Sequence, residues 1–341
     1  MGSLKMENLF DYAPKELTQD GFIRWVCANY REPELKELAK DFILFLTDGK
    51  VDIDDPEFRF LNTWSQVNHM DLGCDFFYAE SDRYSRYYLV IEDKTTSWEH
   101  NQLKTYNKVL QRWDAPHKRE RAIKVFYKTS PSDEEEIARV KDAGWRMFQL
   151  PEIVDFWGKY KSHPNLIVSS YAKHILKIGE SSETVTMPST NDLIAWYSYM
   201  KKILLPRLAN DVEGAQFNVW TGRYGYVYIT AYPKGRCDDF TPYLEIRSRD
   251  LLGGRFVGRI LKYWKNIDVE SLDLLRKTIS ENGGEIFKAN WGHKKMQQAG
   301  TTAIRGTKLS STSEETLISS IEAATRAYLK IVAIWDESVR K

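Results

Sequence analysis

Apolar residues recur every three or four positions at the start of the chain and then switch to a two-residue period, a pattern that predicts helices followed by a sheet. Pro14 suits a first helical turn, where its missing N–H has no partner to lose, and Leu17, Phe22, Trp25 and Val26 follow at helical spacing. Pro33 opens a second helix through LKELAKDFILFL, which Gly49 stops. From Cys74 the period changes. CDFFYAE is rich in aromatics, SDRYS is a turn cluster and RYYLVIEDKT is apolar and β-branched, so the three together predict a β-hairpin. A helix through HNQLKTYNKVLQRW, a buried strand AIKVFYKTS, a helix EEEIARVKDAG closed by Gly144 and a strand WRMFQL complete an α/β sandwich with a mixed central sheet.

Residues 158–190 mix small and polar residues with Pro164 and Pro188 around a short helical stretch, and this predicts a linker between a domain at 7–157 and another at 191–341. The second domain reads as α+β. It has a helix NDLIAWYSYMKKILL, aromatic strands FNVWTG, YGYVYITAY and TPYLEIRSR, and a long terminal helix from about Ser313, where TSEE supplies capping chemistry.

Chemistry concentrates in CDFFYAESDRYSRYYLVIEDKT. A hairpin centred between Arg83 and Tyr84 would set Asp75 opposite Glu92. Strand alternation puts Lys94 on the Glu92 face and turns the Asp93 side chain away. Two facing carboxylates favour a divalent cation between them, and hard oxygen ligands favour Mg²⁺ or Mn²⁺ over Zn²⁺. The plain alternative is a cross-strand ion-pair cluster, but CDFFY and YYLVI are too apolar for an exposed edge. Asp71, four residues before Asp75, is the rival for the first metal position, and its place before Gly73 suggests an entering turn. His69, His100 and His117 lack paired ligand spacing.

These residues resemble the PD-(D/E)xK nuclease superfamily, whose fold is restriction-endonuclease-like: Asp75, then Glu92, one residue, and Lys94 at the end of the next strand. The run VIEDKTTSWEHNQLKTYNKVL is similar to a bacterial subgroup with a strand like IENK and a helix like NQLxxY, and Gln102 and Tyr106 match the RecB-type pair. Glu16 sits where many members carry a further acidic residue. The resemblance covers residues 7–157. Cys74 stands where the motif has Pro, and Asp93 where an apolar residue is frequent, which suggests a less buried reverse face.

The resemblance implies that Asp75, Glu92 and the backbone carbonyl of Asp93 hold one metal ion, which Glu16 reaches through water. Lys94 would orient or deprotonate the attacking water, and Gln102 and Tyr106 would position the phosphate. It further implies hydrolysis of DNA, with RNA not excluded, to a 5′-phosphate and a 3′-hydroxyl, and a role in prokaryotic defence against foreign DNA. The alternative is a nucleic-acid-binding or assembly protein that keeps the fold without turnover. A homodimer is left open.

Charge adds a polarity. Residues 1–165 carry 24 Lys+Arg against 29 Asp+Glu, a net −5, and residues 166–341 carry 25 against 19, a net +6. Basic residues interleaved with aromatics in RSRDLLGGRFVGRILKYWK and again in 286–313 suit phosphate contact and base stacking. The candidate nucleic-acid contacts are Arg255, Arg259 and Lys262, on one helical face if GGRFVGRILKYW is helical, with Lys294 and Lys295.

Composition excludes some classes. With 42% hydrophobic and 13% aromatic residues the chain is globular rather than disordered. Its apolar runs are too short to span a bilayer. MGSLKMENLF lacks the basic-then-apolar order of a secretion signal. Three scattered cysteines offer no disulfide framework, so a cytoplasmic protein is expected.

Overall fold

The computed structural model describes residues 8–12, 16–80, 83–96, 102–114, 121–222, 225–236, 241–264, 269–284, 286–287, 300–310 and 313–339. The chain divides into two compact units, Met1–Glu180 and Ser181–Lys341.

The first unit begins with helices α1 (Leu9–Tyr12), α2 (Glu16–Ala28) and α3 (Lys36–Leu46). Strands β1 (Phe58–Val67), β2 (Met70–Glu80) and β3 (Arg83–Lys94) then form an antiparallel meander. Helix α4 (Gln102–Asp114) crosses to β4 (Arg121–Lys128), α5 (Glu134–Asp142) to β5 (Arg146–Phe148), and α6 (Leu150–Gly158) and α7 (Leu166–Ser182) close the unit. The sheet order is β1-β2-β3-β4-β5, antiparallel in its first half and parallel from β3 onward. Parallel neighbours need helical crossovers and antiparallel ones only tight turns, so the mixed sheet follows from where the sequence places its helices. The predicted hairpin, crossover helices and parallel strands are all present. Strand β1 is an addition, because FRFLNTWSQV has no sustained apolar alternation and its residues are mostly half-buried.

One sheet face packs on α2, α3, α6 and α7 around aromatic rings. Phe22 stacks on Tyr171 with centroids 3.9 Å apart, and Trp157 lies 5.2 Å from Phe42 and donates its indole N–H to Tyr127 Oη at 2.8 Å. Residues 158–190 are therefore not a linker with a short helix. Val168, Tyr171, Ala172 and Ile175 of the 17-residue α7 are buried in the core of the first unit, a stripe at helical spacing that the neighbouring prolines obscure in the sequence. The other face packs Tyr88, Val90 and Phe126 against Leu103, Tyr106 and Leu110 of α4.

The second unit is α+β. Helices α8 (Leu193–Tyr199) and α9 (Leu205–Asp211) run on through a π-helical turn at Met200–Leu204. Strands β6 (Ala215–Gly222), β7 (Tyr226–Pro233), β8 (Tyr243–Arg247), β9 (Arg255–Trp264) and β10 (Gly300–Ser310) form a fully antiparallel sheet in sequential order. Helix α10 (Ser248–Leu251) precedes β9, α11 (Val269–Asn282) follows it, and α12 (Glu314–Val339) ends the chain. The stretch GGRFVGRILKYW, read as helical for the basic face, holds strand β9, which pairs antiparallel with β8 on one side and β10 on the other. Among the described residues no helix is long and apolar enough to cross a membrane.

Candidate active site

Strands β2 and β3 lie side by side where the parallel half of the sheet begins, and the register of their hairpin decides which carboxylates meet. Asp75 pairs with Tyr88 and Leu72 with Ile91, so one further step sets Asp71, not Asp75, opposite Glu92. The expected pairing of Asp75 with Glu92 is off by four residues, or roughly 13 Å along the strand. The turn is the cause. Glu80 pairs with Arg83, which puts the reversal two residues earlier than a centre between Arg83 and Tyr84.

Asp75 is held in another network. Its Oδ1 accepts from Trp64 Nε1 at 3.1 Å and its Oδ2 from Arg86 Nη2 at 2.8 Å. Gly73 makes this possible: it pairs with Trp64 across the strands, and a Cβ there would collide with the Trp64 indole and the Leu89 carbonyl. Asp71 lies in β2 rather than in an entering turn. Strands β1 and β2 are joined at Asn68 and His69, at φ 51° and 69°, a left-handed pair that matches the twist of a two-residue hairpin. Tyr106 braces this turn from α4, donating its hydroxyl to the His69 carbonyl at 2.6 Å.

Glu92 and Lys94 share a face, and Lys94 Nζ is the hub of the cluster. It lies 2.5 Å from Glu92 Oε1, 3.6 Å from Asp71 Oδ2 and 4.0 Å from Glu16 Oε2, and donates to the Asp93 carbonyl at 3.1 Å. Glu16 reaches it from the first residue of α2. Asp71 Oδ2 also accepts from the Asp93 backbone N–H at 3.3 Å, which ties the two strand ends together. Gln102 begins α4, half-buried and one turn before Tyr106. Tyr106 thus acts on the backbone next to Asp71. His100 and His117 lie outside the described residues.

Burial dominates the electrostatics. It pushes the Glu92 carboxyl up to about 8; Asp71 adds to the rise and the Lys94 ammonium offsets part of it. Burial alone would lower the Lys94 pKa, but Glu92, Glu16 and Asp71 outweigh it and hold the ammonium above its ordinary range. Raising an acid's pKa in the native state makes that state hold a proton the unfolded chain releases, so Glu92 costs stability as pH rises from about 4.5 to about 8. Without divalent metal, the melting temperature of the protein should fall relative to that of Glu92→Gln between pH 5 and pH 9. Parallel melting curves across that range would contradict it.

The reverse face of β3 is less permissive than Asp93 suggests in the sequence. The Asp93 side chain is 0% exposed, its Oδ1 accepting from Gln19 Nε2, and Gln19 Oε1 accepts in turn from Thr129 Oγ1 at 3.1 Å and Tyr171 Oη at 3.2 Å. Burial, then the charge of Asp20, holds Asp93 well above the carboxylate range; burial, then Asp71, raises Asp20 to about 6. Gln19 and Asp20 are polar residues on the buried side of α2, a signal that sequence reading passed over.

A divalent cation fits this donor set by chemistry. Glu92, Asp71 and the Asp93 carbonyl are hard oxygens, and Glu92 is fully buried with the Lys94 ammonium as its ion-pair partner. The carboxylates surround the ammonium rather than converging on one point: among the described residues no group of three His, Cys, Asp or Glu is gathered as a metal cage.

The basic residues proposed for the second unit do not act as a set. Arg259 is buried and bound to Asp250 through both Nη atoms, Nη2 lying 3.2 Å from Oδ1, so it cannot serve a phosphate. Arg255 is exposed and shares the Arg259 face of β9 by strand alternation, and the Lys262 side chain lies outside the described residues. Lys294 and Lys295 lie outside the described residues. No family model, curated protein or solved structure matches this chain.

Proposed function

We propose that the first unit is a Mg²⁺- or Mn²⁺-dependent nuclease of the PD-(D/E)xK type, with Asp71 in place of Asp75 as the aspartate of the motif. The observation that carries this reading is the meeting of Asp71, Glu92, Lys94, Glu16 and the Asp93 carbonyl at the ends of β2, β3 and α2. The sheet supports it, with an antiparallel meander leading through a crossover helix into parallel strands, as a restriction-endonuclease-like core requires.

Asp71, Glu92 and the Asp93 carbonyl would hold the metal, and Glu16 would act from the rim. The bound metal supplies Lewis acidity at the scissile phosphate and a more acidic water. Lys94, its ammonium reinforced by its neighbours, holds a proton and a positive charge where the phosphorane oxygens gain charge. Tyr106 fixes the turn that carries Asp71. The products would be a 5′-phosphate and a 3′-hydroxyl on DNA or RNA, and defence against foreign DNA in a prokaryotic cytoplasm is the setting the sequence resemblance suggests.

A second reading, a nucleic-acid-binding protein with this fold and no turnover, is favoured by the way Lys94 already neutralises the carboxylates. Incubation with Mn²⁺ and a panel of single-stranded, duplex and branched DNA and RNA separates the two. The nuclease reading expects cleavage of at least one substrate that Lys94→Ala abolishes, and the binding reading expects none.

A further inference from the structure

The sheet of the second unit commits one face to its core. Val219 and Ile229 pair across β6 and β7, Ile229 and Ile246 across β7 and β8, and Leu244 and Ile260 across β8 and β9, all buried. The opposite face is an aromatic band on three strands. Trp220 pairs with Tyr228, the Tyr226 and Tyr228 rings lie 5.7 Å apart, and those of Tyr232 and Tyr243 lie 5.4 Å apart. Trp220 is 36% exposed, and Tyr228, Tyr232 and Tyr243 are partly exposed.

Each ring of the band carries a phenol hydroxyl or an indole N–H, so the face joins flat apolar rings to polar edges, the Trp220 indole donating to Thr230 Oγ1 at 3.0 Å. Cations frame it. The Arg247 and Arg249 guanidinium carbons lie 5.1 and 4.8 Å from the Tyr226 ring centroid. Among the described residues of this face the acids are matched, Glu245 with Arg247 and Asp250 with Arg259, while Arg249 and Arg255 are exposed. Flat rings with exposed cations beside them complement a strand whose bases are unpaired and whose phosphates are charged. Duplex DNA, with its bases stacked inside, offers the rings nothing.

We propose that this face is a stacking platform for the unpaired bases of a nucleic-acid strand, with Trp220 and Tyr228 taking bases and Arg249 and Arg255 taking phosphates. The proposal rests on the nuclease reading for the reason nucleic acid reaches the chain, but its test needs no cleavage.

The full chain in EDTA is titrated with a fluorescein-labelled oligothymidylate of about 20 nucleotides, and with a duplex of equal length, by fluorescence anisotropy. Single strand should bind more tightly than duplex. Trp220→Ala and Tyr228→Ala should each weaken binding by about tenfold, while Tyr228→Phe, which keeps the ring, stays within about twofold. Arg249→Ala with Arg255→Ala should lower the slope of log K against log salt by about 1.4. Trp220 lies at the surface, so its variant remains a test if Tyr228→Ala fails to fold. Wild-type affinity in Trp220→Ala, equal losses in Tyr228→Phe and Tyr228→Ala, or tighter duplex binding would overturn the proposal. If the platform variants lose binding while the chain cleaves nothing, the nuclease reading fails and the platform stands. If the chain cleaves but the platform variants bind as wild type does, the platform alone fails.

Discussion

Asp71→Asn should cleave nucleic acid at least about 100-fold more slowly than the unaltered chain, while Asp75→Asn should cleave within about threefold of it. The contrast follows from the register. Asp71 stands beside Glu92 and 3.6 Å from Lys94, whereas Asp75 faces Tyr88 and is bound to Arg86 and Trp64. The amide of Asp75→Asn keeps one acceptor oxygen, so either the Trp64 indole N–H or the Arg86 guanidinium loses its acceptor, a cost to stability of about 1–3 kcal/mol rather than to turnover. Initial rates with Mn²⁺, set beside urea unfolding of both variants, make the comparison. An inactive but stable Asp75→Asn would return the metal position to Asp75.

The second large effect concerns a lysine outside the site. Lys128 on β4 is the register partner of Lys94, and it is buried with Nζ 2.5 Å from the equally buried Glu136 of α5. Burial, and Lys94 to a smaller degree, depresses the Lys128 pKa; Glu136 opposes this and keeps the charge paired. Glu136→Ala removes the ion-pair partner of a buried cation and should destabilise the first unit by about 3–5 kcal/mol, while Lys128→Met with Glu136→Leu should cost far less. Urea unfolding measures both. A Glu136→Ala loss below about 1 kcal/mol would mean that another acceptor takes over the Lys128 ammonium, Asp133 being the other acid that acts on it.

Much of the first unit was legible because its signals are local. The helical stripe of α3, the hairpin and the strand–helix alternation each need only a few neighbouring residues. Glu92 and Lys94 share a face because strand alternation is fixed. The partner of Glu92 was not legible in the same way, since it depends on where the turn falls, and a two-residue error in the turn moved the assignment from Asp71 to Asp75. Asp93 misled for another reason: its burial depends on Gln19, Thr129 and Tyr171, which come from distant parts of the chain. In the second unit, glycines before Arg255 and a four-residue spacing of arginines imitate a helix, and the strand is decided by its pairing with β8 and β10, which is not a local signal. The pairing of Arg259 with Asp250, nine residues away, leaves no mark in composition.

Calorimetric titration of the full chain with Mn²⁺ tests the central claim most directly, because the claim is that Asp71, Glu92 and the Asp93 carbonyl form a metal centre once a divalent ion competes with the Lys94 ammonium. The account predicts one Mn²⁺ bound per chain, with affinity rising as pH approaches 8 because binding must release the Glu92 proton, and with that binding lost in Glu92→Gln. Absence of Mn²⁺ binding to the unaltered chain, or an isotherm unchanged in Glu92→Gln, would contradict it.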